Sequence, residues 1–275
     1  MSLARATSSE LTKQFTTAIW WILALVLLIY VGATAAGLAG VFGGVASGAI
    51  GADQTSGPAP DTSTLPALIY SLATSVGFVF PLLIGTLLVT GEFRHKTLTP
   101  TFLATPRRGV ALGGKLTAGI VMGLAYAAVA LVAAVAPGAG ILAAFGIDTR
   151  LTDPDTWALI GRMVLALVLW VLIGIGVGTL IRNQVATVVG VLAFTQFIEP
   201  ILRTVSSFVD GFDEVGRYLP GAASDALVGA SIFSGLAGAG GGETLAWWIG
   251  GLVLLGYAVV FLLLGWLFSW RRDVS

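Results

Sequence analysis

Residues 18–50 read AIWWILALVLLIYVGATAAGLAGVFGGVASGAI, without one charged side chain. About 20 apolar residues wound as a helix cross the ~30 Å hydrocarbon core of a bilayer. This run is long enough to do so, and its apolar residues cover every side of a helix, as lipid on all sides demands. A membrane strand would alternate in polarity instead. The whole chain agrees. Of its 275 residues 56% are hydrophobic and 10% charged, whereas soluble domains carry about 25% charged residues.

Working outward, residues 65–90, 116–147 and 244–270 are also uncharged, and residues 157–181 are interrupted only by Arg162. The stretch between Arg182 and Glu199 is shorter, roughly 24 Å at ~1.5 Å per residue. It is expected to extend past Glu199 or to stop within the protein. The fold class is therefore an all-α integral membrane protein, one domain over 1–275. Six spans are expected near 18–42, 65–90, 112–136, 157–181, 185–208 and 244–270. Ala33-Thr34-Ala35 has the form of a signal-peptidase site, but the apolar run continues to Ile50, which favours an uncleaved span.

Lysine and arginine orient the spans. With the N-terminus in the cytoplasm, Arg5, Lys13, Arg94, Lys96, Arg107, Arg108, Lys115, Arg182, Arg271 and Arg272 lie inside. Arg150, Arg162, Arg203 and Arg217 lie outside or near the outer face. That majority places both termini on the cytoplasmic side of the cell membrane.

Ahead of the first span, Thr7 and Glu10 have capping-box spacing. Leu11, Phe15, Ala18 and Ile19 share a helical face with Lys13 and Gln14 away from it. Two readings stand: an amphipathic helix at the interface, or an extension of the first span into the cytosol. Residues 91–108 form a basic loop with Phe93, Leu98 and Phe102 set among charges. Its composition alone asks for no more than positive-inside topology. Residues 209–243 are longer and more apolar than a loop requires, and short helices dipping back toward the membrane fit them.

Chemistry is sparse. With one histidine, His95, and no cysteine, a multi-histidine or thiolate metal site is excluded within one chain, and no catalytic constellation appears. Zero net charge gives no bulk attraction to nucleic acid. Gly109, Gly114 and Lys115 have Walker A spacing, but Leu116 stands where a hydroxyl should meet magnesium. Lys115 then reads as a cation snorkelling at the membrane face. Arg162 reads the same way at the other face. Glu199-Pro200 either lines a cavity or marks a helix end near the headgroups. Gly174, Gly176 and Gly178 cannot all face one side, and are expected to allow close helix contact on two sides.

Four segments together resemble the permease subunits of ABC transporters of the type-2 exporter family, in their short actinobacterial-like form. They are Ser9-Glu10-Leu11-Thr12-Lys13 with Ile19-Trp20-Trp21; Thr90 to Leu98 with Leu103 to Arg108 and Lys115-Leu116; Gly176 to Asn183 with Glu199-Pro200; and Leu219 to Ala223. The resemblance implies an N-terminal interfacial helix containing Glu10, Lys13 and Phe15, and a cytoplasmic coupling helix. Glu92, Phe93, Arg94, His95, Thr97, Leu98, Arg107 and Arg108 would meet an ATPase there. It also implies external re-entrant helices before the last span, around Glu199, Pro200 and Pro220. The implied partners are an ABC ATPase subunit, a second permease subunit, identical or paralogous, and the bilayer. ATP and magnesium would sit in the ATPase, with no cofactor in this chain. The sequence departs from the family at Lys96, where a glycine is common. An ion-coupled secondary transporter and a non-transporting scaffold are the competing readings.

Overall fold

The fold is given by a computed structural model in which residues 2–50, 61–97, 101, 103, 107–206, 213–232 and 245–270 are described. Among them there is no strand. Six helices are long and apolar enough to cross a membrane: Ile19–Ala46, Leu65–Arg94, Arg108–Ala144, Pro154–Leu180, Gln184–Ser206 and Trp247–Phe268. The chain is an all-helical, multi-pass membrane protein.

The fourth span is the hub. It packs on the second, third and sixth, while the first lies on the third and the fifth on the second. Glycines bring the backbones together. A Cβ on Gly174 would overlap the Leu82 carbonyl oxygen, one on Gly178 would lie 2.8 Å from Thr86 O, and one on Gly85 would overlap the Val171 carbonyl. Gly176 is turned the other way, where its Cβ would sit 2.7 Å from Phe261 Cβ of the sixth span. In a bilayer, where lipid competes for apolar surface, such close approach is what holds helices together. Trp170 fills the centre. Its ring meets Phe78 at 4.4 Å between centroids, and its Nε1–H donates to Ser224 Oγ at 3.1 Å.

Several spans differ from their expected form. The second is broken into Leu65–Tyr70, Leu72–Ser75 and Val79–Arg94, and Phe78, whose ring lies tilted against Trp170, is at the second break. The third begins at Arg108 and runs to Ala144, roughly 55 Å at ~1.5 Å per residue. That exceeds the ~30 Å core, so part of this helix stands beyond it.

The fifth span extends past Glu199, one of the two forms expected for it. It continues to Ser206 through a π-helical turn at Phe194–Ile198. Pro200 has no N–H for the Gln196 carbonyl and its ring would crowd that turn. A π turn just before it loosens the ladder at that point.

The N-terminal helix, Leu3–Thr16, is separate from the first span, because Thr17 is extended. Its cap is Ser2, whose hydroxyl accepts from Arg5 N–H. Thr7 is therefore inside the helix, not its cap, and its hydroxyl donates to Leu3 O. Near the other end of the chain, Pro220 opens a short helix, Pro220–Val228, and Gly229 closes it with a left-handed φ of 83°. Proline in the first turn and glycine just past the last follow the usual asymmetry of helix ends. This short helix packs against the sixth and fourth spans.

Candidate functional site: a closed ring of charges

The N-terminal helix turns its polar side into the protein. Ala6 and Glu10 are buried against the third span, while Leu3 and Phe15 are exposed. Gly114 makes this possible: a Cβ there would come within 2.8 Å of Ala6 Cβ. The Thr7 and Thr117 hydroxyls bond one another one turn further along. Phe15 packs edge-on against Trp20 at 5.1 Å.

Seated this way, the helix brings Glu10 and Lys13 to Glu92, at the end of the second span, and to Lys115, near the start of the third. Lys13 Nζ donates to Glu10 Oε1 and to Glu92 Oε1, both at 2.8 Å. Lys115 Nζ donates to Glu10 Oε2 at 2.6 Å and lies 3.0 Å from Glu92 Oε2. The last contact is an ion pair without hydrogen-bond alignment, since Glu92 Oε2 has no hydrogen-bond partner among the described residues. Two carboxylates and two ammonium groups thus alternate around a ring with no net charge.

Lys115 is completely buried, whereas the Lys13 side chain is 42% exposed. Burial works against the Lys13 ammonium, but its hydrogen bonds to Glu10 and Glu92 and their charges outweigh that and hold its pKa above the ordinary 10.5. Thr101, in the loop, joins the ring: its hydroxyl is 3.3 Å from Glu92 Oε1 and 3.5 Å from Lys13 Nζ. Four segments are therefore tied at one point: N-terminal helix, second span, loop and third span. Each carboxylate is engaged by both lysines.

The expected loop residues divide. Glu92 is buried in the ring and Phe93 is half-buried against the core. Arg94, His95, Thr97 and Arg107 are exposed, and Arg108 is half-buried. Leu98 lies outside the described residues, as do Phe102, Arg271 and Arg272. Lys96 has a φ of 54°. Thr97 N–H donates to Glu92 O at 3.0 Å, and Lys96 N–H to Phe93 O at 3.4 Å. This is the helix-ending motif in which a left-handed residue, most often glycine, follows the cap. The lysine at this position takes up the conformation a glycine would supply.

Lys115 is the residue that linear reading misplaced. It does not snorkel, because it has two carboxylates to neutralise it inside the protein. A signal was present: a buried cation in a span needs a partner. Glu10 and Glu92 share its side of the expected topology.

The second polar group lies around the short helix Pro220–Val228. Glu199, buried in the fifth span, accepts from Gly221 N–H at the start of that helix. Four residues on, Arg203 Nη2 is 2.6 Å from Asp225 Oδ2. Glu199 is thus not a helix end; it serves as a cap, from another helix, for the buried N-terminus of this one. Pro200 is exposed, and Pro220 is buried. Arg162 is half-buried, 6.0 Å from the centroid of the Trp247 ring. Among the described residues no group of three or more His, Cys, Asp and Glu side chains is placed to hold a metal ion. Compared with known proteins, the chain matches no protein-family model and no curated protein.

Proposed function

We propose that this chain is the membrane-spanning permease subunit of a type-2 ABC exporter, coupled through residues 91–108 to a separate ATPase. The charge ring is the observation that carries the reading. A loop that only satisfied topology would need no tether, yet Thr101 is held to a buried ring that also grips the surface helix and two spans. Force applied by a partner on the exposed Arg94, His95 and Thr97 would pass through Glu92 to Glu10 and Lys115. ATP can shift such a permease only if its two conformations contact the ATPase differently, and this junction is where such a difference would be transmitted. In this reading both termini and the ring face the cytoplasm of a cell-membrane protein. The Leu3–Thr16 helix lies at the interface with Leu3 and Phe15 in lipid, and the Pro220–Val228 helix re-enters from outside. The apolar, glycine-rich spans suit a hydrophobic or amphipathic substrate moved outward by a pair of permease subunits.

One observation favours a second reading, an ion-coupled transporter: Glu199 is a buried carboxylate inside a span, a place where such groups commonly serve ion pathways. Affinity purification in mild detergent, with mass spectrometry of the retained proteins, separates the two. The exporter reading expects an ATP-binding subunit at about one per permease, lost when Arg94→Glu reverses an exposed charge of the loop. Reproducible purification without any ATPase, even after crosslinking, would sink it and leave ion-driven uptake in vesicles as the next assay.

A further inference from the structure

The fifth span is built differently on the two sides of its π turn. Before the turn, Thr187 and Val191 are buried and the helix rests on the second span. From Gln196 within the turn to Ser206, only Glu199 and Ser206 are buried and Arg203 half-buried, while all the others are exposed. The three inward residues fall at i, i+4 and i+7, one face of a helix. The outward face carries Phe197, Ile198, Ile201, Leu202 and Val205, as a lipid-facing surface should. The second half is therefore attached by a narrow polar stripe rather than by interdigitated apolar side chains.

Each residue of that stripe has a defined partner. Glu199 accepts from Gly221 N–H, Arg203 pairs with Asp225, and Ser206 lies against Gly216, where a Cβ would overlap its hydroxyl. The partner helix is fixed independently of the fifth span. Gly250 of the sixth span meets it at Ala223 O, at 2.5 Å from a built Cβ, and at Leu227 N, at 2.7 Å. Trp170 holds Ser224. A π turn followed by proline is a place where a helix ladder is already interrupted and can bend.

We propose that residues 199–206 form a hinged half-helix, pivoting at the π turn and latched to the Pro220–Val228 helix by Glu199 and Arg203. Opening the latch swings the half-helix toward lipid and uncovers the polar stripe, leaving the first half of the span in place. The inference does not depend on which energy source drives the protein.

The chain has no cysteine, so a single engineered thiol reports its own site. Ser206→Cys marks the hinged half, Thr187→Cys the half before the turn, and Thr86→Cys the buried seam between the second and fourth spans. Each is reacted with a water-soluble maleimide in mild-detergent micelles, with and without Glu199→Ala plus Arg203→Ala. Releasing the latch should raise the rate at Ser206→Cys roughly tenfold, as for a local opening made more frequent. Thr187→Cys and Thr86→Cys should keep their rates. Glu199→Gln, whose amide oxygen still accepts from Gly221, should leave Ser206→Cys protected. The proposal is overturned if Ser206→Cys stays protected when both latch residues are removed. It is equally overturned if Thr187→Cys or Thr86→Cys becomes reactive in parallel, because the two charges would then hold the whole span or the whole bundle.

Discussion

Lys115 Nζ lies 2.6 Å from Glu10 Oε2, a contact that spans 105 positions of sequence. Its surroundings make it consequential. Lys115 has no exposed surface and Glu10 is buried, so neither charge can fall back on water if the other is lost. The N-terminal helix is thus bound to the bundle by desolvated charge as well as by the small-residue contact of Ala6 with Gly114.

Lys115→Met should therefore destabilise the protein strongly, because it leaves Glu10 and Glu92 facing only the half-exposed Lys13. Removing one partner of a buried ion pair costs about 3–5 kcal/mol. Thermal unfolding in mild detergent measures this. Adding Glu10→Gln should recover part of the loss, and strictly additive losses would show that the two residues are not coupled.

The raised pKa of Lys13 gives a pH signature. A lysine whose folded pKa exceeds its unfolded value stabilises fully below the unfolded value, here 10.5, and loses that contribution as pH rises through the folded value. The stability difference between the native protein and Lys13→Gln should be constant up to about pH 9.5, one unit below the unfolded pKa, and shrink above it. A difference that grew with alkalinity would contradict the ring geometry.

Lys96→Gly should raise stability. A left-handed residue with a Cβ costs about 1–2 kcal/mol, partly offset by the greater freedom of glycine in the unfolded chain, so the net gain should be up to about 1 kcal/mol. Lys96→Val, β-branched at the same φ, should lower the unfolding midpoint. Equal midpoints for all three would remove the helix-ending role.

Glycines inside and outside the packed seam should respond differently to alanine. Gly174→Ala places a methyl on the Leu82 carbonyl, and overpacking of that kind costs about 1–3 kcal/mol. Gly140 has nothing within 4 Å of its Cβ position, so Gly140→Ala should be neutral or stabilise by up to ~1 kcal/mol through helix propensity. Compared by unfolding midpoint, Gly174→Ala should fall below the native protein and Gly140→Ala should not.

Much of this architecture is legible in a linear reading, for a physical reason. Lipid leaves every backbone N–H and C=O to be satisfied within the helix, so an uncharged run such as 18–50 admits one structure. The alternating orientation of Gly174, Gly176 and Gly178 also follows from helix periodicity alone. What escaped were charges neutralised across space. Lys115 looks like a snorkelling cation because its partners stand in other helices. Glu199 looks like a helix end because the N–H that accommodates it belongs to Gly221, 22 positions further on. Thr7 and Glu10 have the spacing of a capping box, but the helix already begins at Leu3 with Ser2 as its cap, and Glu10 is engaged by Lys13 and Lys115 instead. The second-span break at 76–78 has no proline at the break itself, but Pro81 has no N–H for the carbonyl of Gly77, four residues before it.

The ring also has a property that belongs to its shape. Four corners joined alternately by opposite charges resist shear, because displacing one corner lengthens two contacts at once, each inverse in distance. Lys13, the hydrated corner, is the compliant one, and Lys115, sealed inside, is the rigid one. In the exporter proposed above, a pull arriving at Thr101 would reach Glu92 and the compliant Lys13 first, and the rigid Lys115 only through the two carboxylates.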